Sequence, residues 1–312
     1  MEKHEGQHAT PFPQLESHDL IRTKGKDRWK QLKNARVIIT GGTDGIGFVT
    51  AEELAVRGAN VTLVGRNEQK CIDTVAIIKN TTGNPNISHE LADLSLLRDV
   101  RELAERLLAD PTPIDILVNN AGGYYQKRQQ TDEGLEQTFA LNHMAYFVLT
   151  NLLLERVHEA GQGRIINVAS GVHKMGKLNF SDPQGRVSYK GWPAYCQSKL
   201  MNVMFTNALA RRLEGTATTA NSLHPGFVAS KFGHNNTGFV GLMMRMSQAV
   251  MAISPQAGPK TSVHLATDPE LAATSGLYFE KSRETASSQD SLNVEAQERL
   301  WKLSEEVAAS IA

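Results

Sequence analysis

The sequence predicts an α/β chain, doubly wound, with a seven-stranded parallel sheet flanked by helices in a single domain. Short β-branched runs recur along the chain and alternate with apolar stretches at helical spacing. Several of these runs are apolar throughout, as befits strands covered on both faces. The first run opens directly into a glycine-rich turn followed by a helical pattern.

Bulk properties narrow the function. At 312 residues the length allows two domains, but nothing in the middle reads as a linker. The expectation is a polar N-terminal arm over residues 1–34 and one folded domain over residues 35–312. Lys plus Arg and Asp plus Glu both total 33, which argues against a nucleic-acid or anionic-membrane footprint and for a small-molecule partner. Two cysteines, Cys71 and Cys196, suit a reducing compartment, and the ten histidines show no metal-ligand spacing, so no metal site is expected. No apolar run reaches the ~18 residues of a spanning helix, and the arm lacks the apolar core of a signal peptide. A cytoplasmic protein without a membrane span is therefore expected.

The first strand is Arg36-Val37-Ile38-Ile39-Thr40, and Gly58 ends the helix that follows it. Between them lies Gly41-Gly42-Thr43-Asp44-Gly45-Ile46-Gly47, whose glycines let the backbone pass close to a pyrophosphate while the helix N-terminus offers free N–H groups. Asn60-Val61-Thr62-Leu63-Val64 is the second strand, and Arg66, not an acid, stands at its end. A carboxylate there would repel a 2′-phosphate, whereas Arg66 can pair with one, so NADP(H) is favoured over NAD(H).

A helix over residues 68–79 leads to a third strand at 87–91 closed by Asp93, and an amphipathic stretch at 94–108 leads to a fourth, Asp115-Ile116-Leu117-Val118. That strand ends in Asn119-Asn120-Ala121-Gly122, small and amide residues suited to lining a cofactor crevice. The longest helical pattern covers residues 131–159 and contains Asn142, whose polar side chain in a helix interior needs a reason, such as supporting a polar site. Arg164-Ile165-Ile166-Asn167-Val168-Ala169 is the fifth strand, with Ser170 at its carboxyl end, where open α/β sheets bind ligands.

Tyr195 and Lys199 follow, four residues apart on a helix begun near Pro193, and so fall on one face. A phenol with an ordinary pKa of about 10 is a poor acid or base at neutral pH, but an ammonium beside it favours the phenolate. Bringing that pKa to about 7 takes roughly 4 kcal/mol of differential interaction, within reach of one close lysine and one further cation. Residues 216–223 form a sixth strand before His224-Pro225-Gly226, and residues 276–279 form a seventh; helices are expected from Ser254-Pro255 to 266 and over 292–307. Residues 231–254 form an apolar, Met-rich insert that reads either as a cover able to repack around greasy ligands or as buried core helices.

Together, Thr40-Gly41-Gly42-x-x-Gly45-Ile46-Gly47, Asn119-Asn120-Ala121-Gly122, Asn142, Ser170, Tyr195-x-x-x-Lys199 and Pro225-Gly226 resemble the short-chain dehydrogenase/reductase family, which has a Rossmann-type fold. The Ala194-Tyr195-Cys196-Gln197-Ser198-Lys199-Leu200 stretch and the long gap from Ser170 to Tyr195 look most like its retinol dehydrogenase-like branch. The resemblance implies Tyr195 as the acid/base, Ser170 as the hydrogen-bond partner of the substrate oxygen, Lys199 as the cation lowering the Tyr195 pKa and holding the nicotinamide ribose, and Asn142 as the holder of a connecting water. It further implies that Asp93 meets adenine, that Asn120 lines the ribose, and that the backbone after Pro225, through Gly226 and Val228 to Ser230, faces the carboxamide. Gly41, Thr43, Asp44, Gly45, Ile46, Gly47, Arg66, Ala121 and Gly122 complete the expected cofactor contacts. In the glycine turn Thr43-Asp44 stands where relatives often carry a basic residue, so the NADP(H) expectation rests on Arg66.

The function expected is an NADP(H)-dependent oxidoreductase interconverting an alcohol and an aldehyde or ketone on a small apolar substrate. A double-bond reductase of the protochlorophyllide reductase kind and a non-catalytic dinucleotide-binding sensor are the alternatives. The family leaves room for a homodimer or homotetramer, since relatives often pair through their two long helices.

Overall fold

The computed structural model describes residues 32–226 and 259–311. Most of the N-terminal arm, the insert at 231–254, the expected start of the helix at Ser254-Pro255, and Val228 and Ser230 lie outside the described residues. The strands are β1 (Arg36–Thr40), β2 (Asn60–Gly65), β3 (Ile87–Leu91), β4 (Ile116–Asn119), β5 (Arg164–Val168), β6 (Thr219–His224), β7 (Tyr278–Glu280) and β8 (Arg283–Glu284). The helices are α1 (Gly45–Val56), α2 (Glu68–Thr82), α3 (Leu97–Ala109), α4 (Gln137–Phe139), α5 (Ala145–His158), α6 (Gly191–Arg212), α7 (Lys260–Thr267) and α8 (Val294–Ser310).

One sheet runs in the order β3-β2-β1-β4-β5-β6-β7-β8. β1 to β7 pair in parallel, whereas β8 pairs antiparallel to β7. The chain winds outward from β1 to β3, then crosses back to lay β4 on the other side of β1, and that reversal opens a crevice at the strands' carboxyl ends. The seven-stranded expectation is one strand short. β8 is two exposed residues, reached through Lys281 and Ser282 at φ 52° and 57°, and this left-handed pair turns the chain without the Asn-Gly signal that marks such a turn in a sequence.

Alternation along the strands sends side chains into two apolar layers. Ile38, Leu117, Ile165 and Ala220 pack with α3, α5, α6 and α8, while Val37, Ile39, Ile116, Val118 and Ile166 pack with α1, α2 and α7. α5 and α6 are buried on most of their surface, and α8 closes their outer side. There Trp301 meets Phe147 at 5.0 Å and Phe205 at 5.7 Å between ring centroids, and the Arg212 guanidinium lies 3.8 Å over the indole while pairing with Glu298.

The single helix expected over 131–159 is broken. Residues 131–136 fold back in a turn with Gly134 at φ 82° and a bridge between Gln130 and Glu136. Glu136 stays extended and caps α4, accepting from the Thr138 and Phe139 N–H groups at 2.8 Å each. Between α4 and α5 the chain widens into a π turn, Ala140–Met144, which contains Asn142.

Candidate active site

The crevice begins at the glycine turn. Gly41 has φ 64°, and a Cβ there would lie 2.9 Å from the Ala121 Cα. A Cβ on Gly47 would strike the Gly41 carbonyl and approach the Asn120 Nδ2 to 2.6 Å. Asn120 holds this approach, its Nδ2 donating to the carbonyls of Thr40 at 2.8 Å and Gly41 at 3.1 Å. In return Thr40 Oγ1 accepts from the backbone of Asn120 at 2.8 Å and Ala121 at 3.0 Å. The turn and the end of β4 are thus one rigid unit under the N-terminus of α1, where Asp44 caps by accepting from the Gly45 N–H at 2.8 Å.

Arg66 is exposed at the end of β2, and its charge reaches the Tyr125 phenol together with that of Asp93. Burial nonetheless pushes the Tyr125 phenol above its ordinary range. Asp93 accepts from the backbone and hydroxyl of Ser95 at 3.0 and 2.7 Å.

Tyr195 lies in the first turns of α6, 7% exposed, with Ser170 beside its hydroxyl. Burial pushes this phenol well above its usual range, and the Ser170 side chain pulls the other way. One turn on, Lys199 is 4% exposed; its Nζ donates to the Val168 carbonyl at 3.0 Å and stands 5.8 Å from the centres of the Tyr195 and Tyr146 rings. Burial lowers its pKa to about 7. Gly122 closes this pocket, since a Cβ there would come within 3.4 Å of Lys199 Nζ and 3.3 Å of Asn142 Oδ1.

Asn142 is fully buried and donates through Nδ2 to the Gly123 carbonyl and to Ser198 Oγ, both at 3.0 Å. Its Oδ1 accepts from the Gly123 N–H at 2.8 Å. Ser198 in turn donates to the Tyr195 carbonyl at 2.8 Å. Asn142, Ser170, Tyr195 and Lys199 are therefore brought together, with Gly122 and the ends of β4 and β5 beside them. Pro225 and Gly226 follow β6, with Gly226 at φ 82°, and a Cβ on Gly171 would touch the neighbouring His224 ring at 3.6 Å.

Several groups at the site escaped the sequence reading, and Asn119, expected to line the crevice, is instead fully buried. Asn119, Asn167, Thr150 and Thr206 form a buried chain beneath the strand ends, with links of 2.8, 2.9 and 3.0 Å. His173 supports Ser170 from below. Tyr124 and Trp192 set their rings 6.0 Å from that of Tyr195 and 6.2 Å from each other. None has a spacing signature; only the polar residues within apolar strand runs, Asn119 and Asn167, hinted at a buried network.

The sheet order, the glycine turn under α1 and the crevice at the strand ends define a dinucleotide-binding α/β protein. Comparison with known proteins sharpens this: a family model described as short chain dehydrogenase matches residues 35–238. The chain belongs to the short-chain dehydrogenase family and is retinol dehydrogenase-like, an oxidoreductase acting on CH–OH donors. It is 39% identical over 270 residues to retinol dehydrogenase 13 of Mus musculus, covering 85% of this chain and 81% of that one. With the polyprenol dehydrogenase of Homo sapiens it shares 35% over 273 residues, 86% of this chain and 83% of the other. Among solved structures, an uncharacterised protein from Mycobacterium paratuberculosis superposes with a TM-score of 0.71 at 28% identity, covering 89% and 95% of the two chains. A short-chain dehydrogenase from Escherichia coli CFT073, solved with NADPH, gives 0.61 at 25% identity, covering 81% and 99%.

The residues present fit a nicotinamide dinucleotide. The turn tolerates no side chain at Gly41 or Gly47, and an exposed guanidinium stands at the end of β2. A buried amine at Lys199, with one hydrogen bond among the described residues, waits beside the candidate acid/base. Among the described residues, no helix is long and apolar enough to cross a membrane.

Proposed function

We propose that this protein interconverts an alcohol and an aldehyde or ketone on an apolar substrate, using NADP(H), with Asn142, Ser170, Tyr195 and Lys199 as its working set. The observation that carries this reading is the buried Tyr195 phenol beside Ser170, with the buried Lys199 amine one helical turn away. A bound nicotinamide supplies or takes up the hydride. Tyr195 gives its hydroxyl proton to the carbonyl oxygen in reduction, and in oxidation its phenolate form takes the proton from the alcohol. Burial keeps that phenol protonated at neutral pH, the form that donates. Ser170 holds the same oxygen by a hydrogen bond, and the charged form of Lys199 stabilises negative charge developing on Tyr195. Asn142 fixes the Gly122-Gly123 backbone against which Lys199 packs.

In this reading the turn residues Gly41 to Gly47 hold the pyrophosphate, Asp93 and Asn120 to Gly122 line the adenosine and ribose, and Arg66 pairs with the 2′-phosphate. Supporting it, the Escherichia coli structure of similar fold was solved with NADPH. The relatives named for retinol and polyprenol support an apolar substrate, both being long apolar alcohols. The folded domain begins near residue 35, with the insert at 231–254 as a substrate cover. A homodimer or homotetramer belongs to the same reading.

The test is Tyr195→Phe, assayed by NADPH oxidation against aldehydes, ketones, quinones and enones. Turnover should fall ~10²- to 10⁴-fold with carbonyl substrates while cofactor affinity holds, because only the ionisable hydroxyl is removed. Turnover within a few-fold of wild type would sink the role of Tyr195, and activity confined to enones would move the reading to double-bond reduction.

A further inference from the structure

Asn119, Asn167, Ser222 and Tyr278 occupy one register row across β4, β5, β6 and β7. Side chains level with one another on parallel strands share a face. Asn167 shows which face it is, since its Nδ2 donates to Thr206 Oγ1 of α6 at 3.0 Å. Tyr278 agrees, packing with Val203 of the same helix. A polar row therefore crosses the sheet one residue below Val168, whose carbonyl holds Lys199.

Only half of the row is satisfied. On the β4 and β5 side, Asn119, Asn167, Thr150 and Thr206 bond one another. Toward β6 and β7, Ser222 Oγ and the Tyr278 hydroxyl are buried and make no hydrogen bond among the described residues. The same holds for both atoms of the Asn202 amide, fully buried on α6. Asn202 stands four residues after Ser198, three after Lys199 and four before Thr206, so it lies on the helix face that carries all three. Ser198 is bonded to Asn142 on the crevice side and Thr206 to Asn167 on the inner side, and the Asn202 amide lies between them bonded to neither.

Magnitudes decide what completes the row. A buried polar atom without a partner costs about as much as a good hydrogen bond is worth, and often more. Four of them in one layer would cancel a large part of the stability of an ordinary domain. Water is the ligand that fits, being small and able both to give and to accept, with about two to four polar partners at each buried position. The site offers an amide nitrogen, an amide oxygen, a hydroxyl and a phenol that burial keeps protonated, so donors and acceptors are both present.

We propose that Asn202, Ser222 and Tyr278 bind internal water that completes the polar row, and that Asn202 is thereby a positioning residue for α6 at the level of Lys199. The water site stands on its own geometry; its effect on turnover rests on the reading of Tyr195 and Lys199 above. The row also reaches the Ser170 side of the crevice, because the Tyr278 ring lies 4.6 Å from that of His173, whose Nδ1 bonds the Ser170 carbonyl. Water under α6 thus joins the two halves of the candidate site from below.

The test combines a crystal structure, urea unfolding and kinetics on the full chain. Ordered water should bridge the Asn202 amide to Ser222 Oγ or to the Tyr278 hydroxyl; a dry site, or the three side chains bonded directly to one another, overturns the proposal. Asn202→Leu leaves Ser222 and Tyr278 without their shared partner, so the ratio of folded to unfolded protein should fall about tenfold. Tyr278→Phe should lose about as much, and the double variant no more than either alone, since the same water is lost whichever partner goes. Should Asn202→Leu not fold, Ser222→Ala takes its place in the cycle. Losses that multiply in the double variant, or a single variant more stable than wild type, as removal of an idle polar group would give, overturn the water site. Asn202→Leu should also lower kcat by about tenfold with KM and cofactor Kd unchanged, and Asn202→Ser, which leaves room for a further water, should restore most of it. An unchanged kcat overturns the positioning role. Turnover retained in Tyr195→Phe instead sinks the reading of the reacting pair and leaves the unfolding cycle, measured without substrate, as it was.

Discussion

The side chain of Asn142 and the backbone of Gly123 form a closed pair: Nδ2 donates to the Gly123 carbonyl at 3.0 Å, and Oδ1 accepts from its N–H at 2.8 Å. The amide plays the part of a neighbouring strand for a residue that has left the sheet. Its remaining proton goes to Ser198 Oγ, which donates to the Tyr195 carbonyl, so one buried side chain ties the end of β4 to the first turns of α6. Asn142→Ala strips both partners from Gly123, and a buried polar group left unpaired costs roughly 1–3 kcal/mol. Thermal unfolding should show the loss as a lowered Tm, and turnover should fall further than cofactor affinity. An unchanged Tm would mean that Gly123 finds other partners.

His173 fixes the other side of the site. The Ser288 N–H, which can only donate, points at Nε2 at 3.1 Å, so the proton sits on Nδ1 and is donated to the Ser170 carbonyl at 2.8 Å. Burial holds the ring neutral by lowering its pKa. The serine beside Tyr195 is thereby anchored to the segment leading into α8. His173→Phe keeps the ring against Tyr278, 4.6 Å away, but loses both bonds. The expected result is a drop in kcat on the order of tenfold, the rate equivalent of one hydrogen bond, with cofactor Kd unmoved. A loss confined to cofactor binding would contradict it.

These two anchors show how far the sequence could be read. Short β-branched runs and glycine spacing are local, and they were enough to place seven strands, their parallel pairing and the glycine turn. Tyr195 and Lys199 were legible because helical spacing alone puts them on one face. Asn142 was legible only as an anomaly, a polar residue in an apolar helical pattern. The π turn that accommodates it depends on contacts with Gly123 and Ser198, 19 and 56 residues away in the chain. His173 joins residues 115 apart, and no periodicity carries that information. The break before α4 was missed because Glu136 caps from a position that reads as helix interior.

His143 offers a pH test of the buried layer. It is fully buried among Phe139, Phe147 and Phe205, and Nε2 lies 2.8 Å from Ser304 Oγ. That hydroxyl already donates to the Leu300 carbonyl, so Nε2 carries the ring proton. Burial lowers the pKa from 6.5 to about 3. With the folded value depressed, the unfolded chain binds the extra proton first, so stability is full above about pH 6.5 and is lost as pH falls toward 3. Urea unfolding should show this acid limb in wild type and a flatter one in His143→Gln. Parallel limbs in the two proteins would show that the acid loss arises elsewhere.

Lys199 gives the complementary test on the alkaline side, and it probes the site directly. Burial lowers its pKa from 10.5 to about 7, so near neutrality the folded protein begins to release a proton that the unfolded chain keeps until far higher pH. Wherever the unfolded state binds more protons, stability rises with pH. The cofactor-free enzyme should therefore gain stability from Lys199 as pH climbs from about 7 toward 9.5, below the range where unfolded tyrosines ionise. In Lys199→Met, which keeps the stem's apolar packing and has no proton to lose, that gain should vanish. The measurement is the Tm difference between variant and wild type across this window: the variant should be relatively more stable near pH 7, with its advantage shrinking as the pH rises. The same burial leaves the amine's charge at neutral pH dependent on what lies beside it, so anionic character on Tyr195 would pull Lys199 back to the ammonium form. A Tm difference independent of pH would mean that Lys199 stays charged in the folded protein and that the pocket does not strip it of solvent.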